Sequence, residues 1–286
     1  MAILAVQQIR RMRGGAQSHL MLGSDQQLYV VKFQNNPQHL RVLANELLGS
    51  RLAEAAGLSV PPSQIVEVTP WLIENTSELT VSFGRTAERC LAGLQFGSRF
   101  VGGLMPGLVL DYLPEEQLME IRNLDQFAGM LALDKWTCNA NGRQAVFHRS
   151  SRERRYRACF IDQGFCFNAG EWSFPDAPLR GVYARNCVYR NVTGWESFSP
   201  WLERMETMEE ERIWALCAEV PPEWYGGDLD HMERLATELI ARRSRIREQI
   251  EAFRDSSRSP FPNWGKSPES LHHKAFLIAA EQSSLN

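Results

Sequence analysis

Asp134-Lys135-Trp136-Thr137-Cys138-Asn139-Ala140-Asn141-Gly142-Arg143-Gln144 is the stretch on which the reading of this chain turns. Upstream, Leu124, Phe127, Ala128, Leu131 and Leu133 recur at helical spacing, which predicts a helix over 124–137. Asn139 to Arg143 is a loop by composition. Immediately beyond it, QAVFH (144–148) and YRACFI (156–161) alternate as strands around an arginine-rich tip, Arg149 to Arg155. Asp162-Gln163-Gly164 follows the second strand at once. Carboxylates, amides and an arginine are thus concentrated where apolar elements hand over to one another.

Working towards the N-terminus, residues 4–13, 19–24 and 27–33 read as strands, with Gly14-Gly15-Ala16-Gln17-Ser18 as the first turn. Leu40, Leu43, Leu47, Leu48, Leu52 and Ala55 predict a helix over 39–56, and Gly57 suits its C-terminal cap. Strands are expected at 63–69 and 94–101, with 70–93 ambiguous and Gly102-Gly103 a terminator. This N-terminal third reads as a small sheet with one long helix inserted. Residues 104–123, with Pro106, Gly107 and Pro114, read as a connector. Helices are expected at 196–205, 207–218 and 228–254. A loosely ordered tail follows residue 255, with a short apolar piece near 275–280. The expected division is 1–103 and 104–286.

Composition narrows the function classes. The 286 residues are 44% hydrophobic and 23% charged, which excludes a disordered or collagen-like chain. No apolar run approaches the roughly 18 residues of a membrane span. The start, MAILAVQQIRRMRGG, has its charge behind its apolar stretch, the reverse of a secretory signal, so a cytosolic chain with no membrane partner is expected. The net charge of −3 argues against a general nucleic-acid binder. The six cysteines contain no CxxC pair and are expected to be reduced and mostly buried.

Three further positions invite chemistry. Lys32 lies in the apolar strand YVVKF, where an unpaired charge is costly. It is either an edge-strand lysine or a phosphate lysine held by Glu46, which lies mid-helix and is otherwise a surface glutamate. Gly14-Gly15 is either a plain hairpin turn or a backbone cradle for phosphate oxygens, with Ser18 adding a hydroxyl. Asp162 ends a core strand and is released by Gly164. It is either a turn aspartate or a magnesium ligand, because magnesium takes one or two protein carboxylates and completes its shell with phosphate oxygens and water.

The order of these features is that of protein-kinase phosphate machinery: glycine turn, strand lysine, helix glutamate, helix ending in Asp/Asn, strand pair, Asp-x-Gly. Three of the motifs resemble the HipA-like kinase family, atypical bacterial kinases grouped with the HipA toxin kinases. They are Asp134-x-Trp136-x-x-Asn139-x-Asn141-Gly142-Arg143, Phe160-Ile161-Asp162-x-Gly164-x-x-Phe167, and Pro221-Pro222-Glu223-Trp224-Tyr225 before a long Arg-rich helix. The resemblance spans roughly residues 10–255. It implies an α+β, two-lobed, protein-kinase-like fold with a small β-rich N-lobe and a mainly helical C-lobe. It implies ATP and Mg as cofactors and phosphoryl transfer to a hydroxyl, with a protein Ser or Thr as the expected acceptor. Gly14, Gly15, Ser18, Lys32 and Glu46 would then bind nucleotide, and Asp162, Asn139 and Gln144 the metal. Asp134, Asn141 and Arg143 would form the catalytic loop.

The loop departs from its relatives. Type II phosphatidylinositol 4-kinases and secretory-pathway casein kinases share an Asn-x-Asp-Arg loop. Here Asn141 stands where that Asp is expected, and an amide cannot accept a hydroxyl proton as a carboxylate can. Asp134 itself is either a base or a helix-capping, supporting carboxylate, and three outcomes follow: Asp134 substitutes as the base, catalysis proceeds slowly by positioning, or the protein binds nucleotide without turnover as a pseudokinase or scaffold. A small-molecule or lipid kinase is a further reading. HipA itself carries an added N-terminal region used with its DNA-binding antitoxin. Strand one here begins near residue 4, so that region is expected to be absent, which leaves an antitoxin partner open.

Overall fold

Five strands near the N-terminus close into a small barrel and bring Lys32 to one end of it. The computed structural model describes residues 2–102 and 107–266. Strands β1 (Ile3–Arg11), β2 (His19–Gly23) and β3 (Leu28–Lys32) form an antiparallel run. The chain then forms helix α1 (Val42–Ala56) and strand β4 (Ser63–Val68). A short helix α2 (Pro70–Glu74) and a hairpin, β5 (Thr80–Phe83) and β6 (Thr86–Arg89), precede β7 (Gly93–Arg99). The order β1-β2-β3-β7-β4 closes through a parallel β4–β1 pairing. Apolar side chains, among them Met21, Tyr29, Val31, Phe33 and Val66, fill the interior. The N-terminal sheet expected from sequence is therefore a closed barrel, and the ambiguous 70–93 stretch holds α2 and the hairpin.

Helix α1 ends as its sequence predicts. Gly57 takes a left-handed φ of 83°, and Leu58 N–H reaches back to the Ala53 carbonyl at 2.9 Å, a Schellman-type close. Its apolar residues run most of the way round. Val42, Leu43, Leu47, Leu48, Leu52 and Ala53 are all buried in the large helical core rather than in the barrel interior. A helix with apolar residues on most faces has to be covered on most faces, and here helices α5 (Trp201–Glu206) and α6 (Glu210–Ala218) lie against it.

The rest of the chain is β8 (Gly107–Leu110), α3 (Glu115–Met119), α4 (Gln126–Trp136), β9 (Gln144–Ser150) and β10 (Arg157–Ile161), then α5 (Trp201–Glu206), α6 (Glu210–Ala218), α7 (Leu229–Arg242) and α8 (Ile246–Arg254). The connector expected at 104–123 supplies β8, which adds to β9 in a three-stranded β10-β9-β8 sheet. The single helix expected over 228–254 is broken by a 3-10 turn at Arg243–Arg245. Within 196–205, Pro200 separates a 3-10 turn from α5. The Pro222–Tyr225 turn buries Trp224, whose indole N–H donates to the Leu94 carbonyl at 2.9 Å. All six cysteines are free, and five are buried. Among the described residues no helix is long and apolar enough to cross a membrane. The expected boundary at 103/104 and the apolar piece near 275–280 involve residues outside those described.

Candidate active site

Lys32 is the last residue of β3 and only 8% exposed. Its ammonium pairs with the Glu46 carboxylate from α1 and, at 2.7 Å, with Oδ1 of Asp162. Burial pulls its pKa down, but the two carboxylates outweigh this and hold it above the ordinary lysine value. Glu46 is 2% exposed and does more than pair. It accepts backbone N–H groups from Gln163 at 3.0 Å and Gly164 at 2.9 Å. A Cβ on Gly164 would lie 2.7 Å from Val42 Cγ2 and 3.0 Å from Glu46 Oε1. Only glycine allows that approach, so the chain after Asp162 rests directly on α1.

Asp162 follows β10 with a left-handed φ of 66°. Its Oδ2 accepts from Nε2 of Gln144 at 2.7 Å. The pairing of Gln144 with Ile161 across β9 and β10 places those side chains next to one another. Burial raises the Asp162 carboxyl, but Lys32 pulls it the other way, and the net direction is below the usual carboxylate range.

Asp134 occupies a different environment. It lies in α4, whose end is held by Arg242 donating to the Lys135 and Trp136 carbonyls, each at 3.1 Å. Its side chain is 1% exposed. Oδ1 accepts from Nη2 of Arg143 and, at 2.9 Å, from Nδ2 of Asn139; Oδ2 accepts from Nε of Arg143 at 3.0 Å. Gly181 covers the remaining side so closely that a Cβ there would sit 2.9 Å from the Asp134 Cβ. No face of this carboxylate is open to an acceptor hydroxyl. Of the roles open to Asp134 in the sequence, this geometry favours the supporting, helix-end one over the general base: a helix-end carboxylate turned inward is stable only when paired, and the Arg143 fork closes on it. Arg143 is likewise a buried strut, its Nη1 donating to the Ile161 carbonyl at 2.8 Å. Asn139 is also buried. It spends its amide on Asp134 and accepts from Asn141 N–H at 3.0 Å through Oδ1, so it is no metal ligand as it stands. Asn141 and Gln144 are exposed.

The chain is similar to known proteins. A profile describing HipA-like kinases matches residues 5–148, half of the chain. The chain belongs to the HipA-like kinase family. The match takes in Lys32, Glu46 and the 134–144 loop and ends before Asp162. No curated protein matches the sequence. Among solved structures, a Helicobacter pylori proinflammatory kinase, CtkA, is similar at TM-score 0.57 and 14% identity, covering 88% of this chain and 97% of that one. A Golgi casein kinase solved with Mn/ADP bound gives TM-score 0.45 and 12% identity, over 88% of this chain and 73% of that one. HipA of Shewanella oneidensis, solved with HipB and operator DNA, gives 0.42 and 13%, over 88% and 69%. At such identities the Helicobacter likeness shows a shared kinase-like fold.

Against that family background, the glycine turn is the least connected of the expected positions. Gly14 adopts a φ of 115°, and Ser18 is buried. The turn is tied to β5 through Gln17 and the Ser82 backbone, at 2.7 and 2.8 Å, and to Asn36, which donates to the Ala16 carbonyl at 2.9 Å. Among the described bonds none joins Gly14, Gly15 or Ser18 to Lys32, Glu46 or Asp162. Sequence reasoning also passed over the residues that seat the chain after Asp162: His39, Arg41, Asn45 and Trp172. One signal was available. Asn45 is an amide in the middle of an apolar helix, directly before Glu46.

Proposed function

We propose that this chain is a cytosolic, ATP- and magnesium-dependent phosphotransferase with two kinase-like lobes meeting near residue 103, acting on a protein Ser or Thr hydroxyl. The observation that carries the reading is Lys32, which joins a strand, a helix and the Asp-x-Gly turn in one buried ion cluster. A lysine with two carboxylate partners can transfer one bond to a phosphate while keeping the other. Glu46 is the partner it keeps, because two backbone N–H groups fix that carboxylate. Asp162 is the partner it exchanges.

Asp162 and Gln144 suit a hard cation. They present one carboxylate and one amide, and among the described residues no cluster of three or more His, Cys, Asp or Glu competes with them. Magnesium prefers few protein ligands with the rest from phosphate and water, and when bound it would neutralise charge on the β- and γ-phosphate oxygens. The acceptor oxygen forms the new bond to Pγ as the bond to the β–γ bridging oxygen breaks, and ADP leaves. In a loose transition state the acceptor keeps its proton until late, so positioning and charge neutralisation supply most of the acceleration. With Asn141 at the loop tip and Asp134 closed off, the proton passes to water or to the product phosphate, and turnover is slow.

Labelled ATP tests this, with and without magnesium, by following ADP release and label transfer to the chain or an added protein. Slow transfer that needs magnesium and disappears in Lys32→Ala supports the reading. A second reading, a nucleotide-binding pseudokinase, is favoured by the Asn141 amide. It wins if the natural chain binds ATP with no turnover and Asn141→Asp creates turnover.

A further inference from the structure

The chain after Asp162 takes a backbone path that most residues avoid. Phe167, Asn168 and Ala169 have consecutive φ values of 59°, 56° and 59°, and Trp172 has 49°. One turn of left-handed backbone built from non-glycine residues persists only where its surroundings hold it. Two elements do so. On one side the loop from α4 binds it: Phe167 N–H donates to the Thr137 carbonyl at 2.6 Å, Asn168 N–H to Cys138 at 3.0 Å, and Ala140 N–H to Phe165 at 2.9 Å. On the other side stands α1, and there one side chain makes most of the contacts.

That side chain is Asn45, which is fully buried. Its Nδ2 faces three carbonyl oxygens, those of Gly164 at 2.9 Å and of Cys166 and Ala169 at 2.8 Å each. Its Oδ1 accepts the Trp172 indole N–H at 2.7 Å. Arg41 stacks over the Trp172 ring at 4.4 Å and donates to the Gly170 carbonyl at 2.9 Å. His39 bonds the Gly164 carbonyl at 2.8 Å. Asn45 and Glu46 are neighbours on α1, and they read opposite polarities of the same segment: Glu46 takes its N–H groups and Asn45 its carbonyls.

We propose that Asn45 is a positioning residue of the phosphotransferase site, holding residues 164–172 in their left-handed turn between α1 and the 137–141 loop so that Asp162 stays in register with Lys32. This rests on the functional reading above. It goes beyond it in assigning the registration of Asp162 to a residue that touches neither nucleotide nor metal.

Asn45→Asp tests it with little change of shape. The acceptor for Trp172 remains, but a carboxylate now faces three carbonyls. In the full chain without nucleotide, amide exchange across 163–170 should rise at least about tenfold, while β1–β3 exchange stays as in the parent. Nucleotide affinity without metal should change by less than about threefold, and the magnesium-dependent gain in affinity should fall about tenfold. Ala169→Gly, which removes the cost of the left-handed φ, should restore part of both when added to Asn45→Asp. If Asn45→Asp unfolds the whole chain, Asn45→Ser with and without Ala169→Gly takes its place. Unchanged exchange across 163–170, or no rescue by Ala169→Gly, overturns the proposal. A parent that binds no nucleotide overturns the phosphotransferase reading instead, and the exchange and rescue arms still decide whether Asn45 holds the turn.

Discussion

Two buried ion clusters adjoin at the Ile161–Asp162 backbone, and they differ in how their carboxylates are held. Asp134 is met by a planar guanidinium and an amide, which occupy both its oxygens, and its side chain is 1% exposed. Asp162 is met by a lysine and an exposed glutamine, and its side chain is 15% exposed. An arginine fork fixes geometry and gives nothing up easily; a lysine is a point charge on a flexible stem that exchanges partners. The first cluster locks the end of α4 to the start of β9. The second is more open to solvent. Arg143 joins them through the Ile161 carbonyl, so the rigid cluster serves as footing for the more open one.

The largest effect should come from breaking the rigid cluster. Arg143→Met leaves the Asp134 carboxylate buried and without its main partner, a change that costs about 3–5 kcal/mol. For a chain of this size the melting temperature should fall by roughly 10 °C, read by thermal unfolding. A drop of only a degree or two would remove the distinction between the clusters. Lys32→Ala comes next and should act on binding more than on folding. ATP affinity, measured by titration calorimetry, should fall by about 1–3 kcal/mol, as for a hydrogen bond between charged groups. The melting temperature should fall less than in Arg143→Met. Parent-like ATP affinity would mean that the second cluster is structural too.

A narrower change sharpens the comparison within the open cluster. Asp162→Asn keeps the shape and an acceptor for Lys32 but loses the charge a cation needs. ATP affinity in the presence of magnesium should fall by about tenfold, while affinity in EDTA should stay near the parent value. Equal losses in both conditions would assign Asp162 to folding rather than to metal.

The two clusters were unequally legible in the sequence. Lys32 and Glu46 announced themselves, because a lysine in an apolar strand and a glutamate in an apolar helix each need a partner, and chain order supplied it. Asp162 was legible from its place between CFI and Gly164. Asp134 was ambiguous. Five-residue spacing to Asn139 fits both a catalytic loop and a helix end folded onto its own arginine, and spacing carries no information on whether a carboxylate faces in or out. Arg143 and Gly181, which decide the matter, lie nine and 47 residues away. Strand β8 was hidden among Gly and Pro in a connector, because a four-residue strand takes its identity from its partner rather than from its own pattern. Barrel closure was hidden for the same reason: the β1–β4 pairing rests on two residues of each strand.

The smallest expected effect concerns pH, and it separates the carboxylate clusters from the histidines around them. His19 in the barrel, His39 beside Gly164 and His148 on β9 are all held below the ordinary histidine pKa, in each case chiefly by burial. The Lys32 and Arg41 charges add to this at His39. A histidine whose folded pKa is lowered is neutral in the folded chain while the unfolded chain already takes up a proton, so its contribution is whole above the unfolded value of about 6.5 and is lost as pH falls below it. Asp162 has the same sign, but its window opens only below the ordinary carboxylate value of about 4. Lys135, which burial lowers to about 8, acts at the alkaline end, and Glu46, raised chiefly by burial, has the opposite sign; the histidine contribution is therefore read between about pH 7 and pH 5.5, where the melting temperature should decline by a few degrees, most of it below about pH 6.5. Replacing His19 and His39 together by Gln should flatten that slope whatever it does to the melting temperature at pH 8. A slope unchanged in the double variant would move the pH sensitivity to other groups, with His148 next in line.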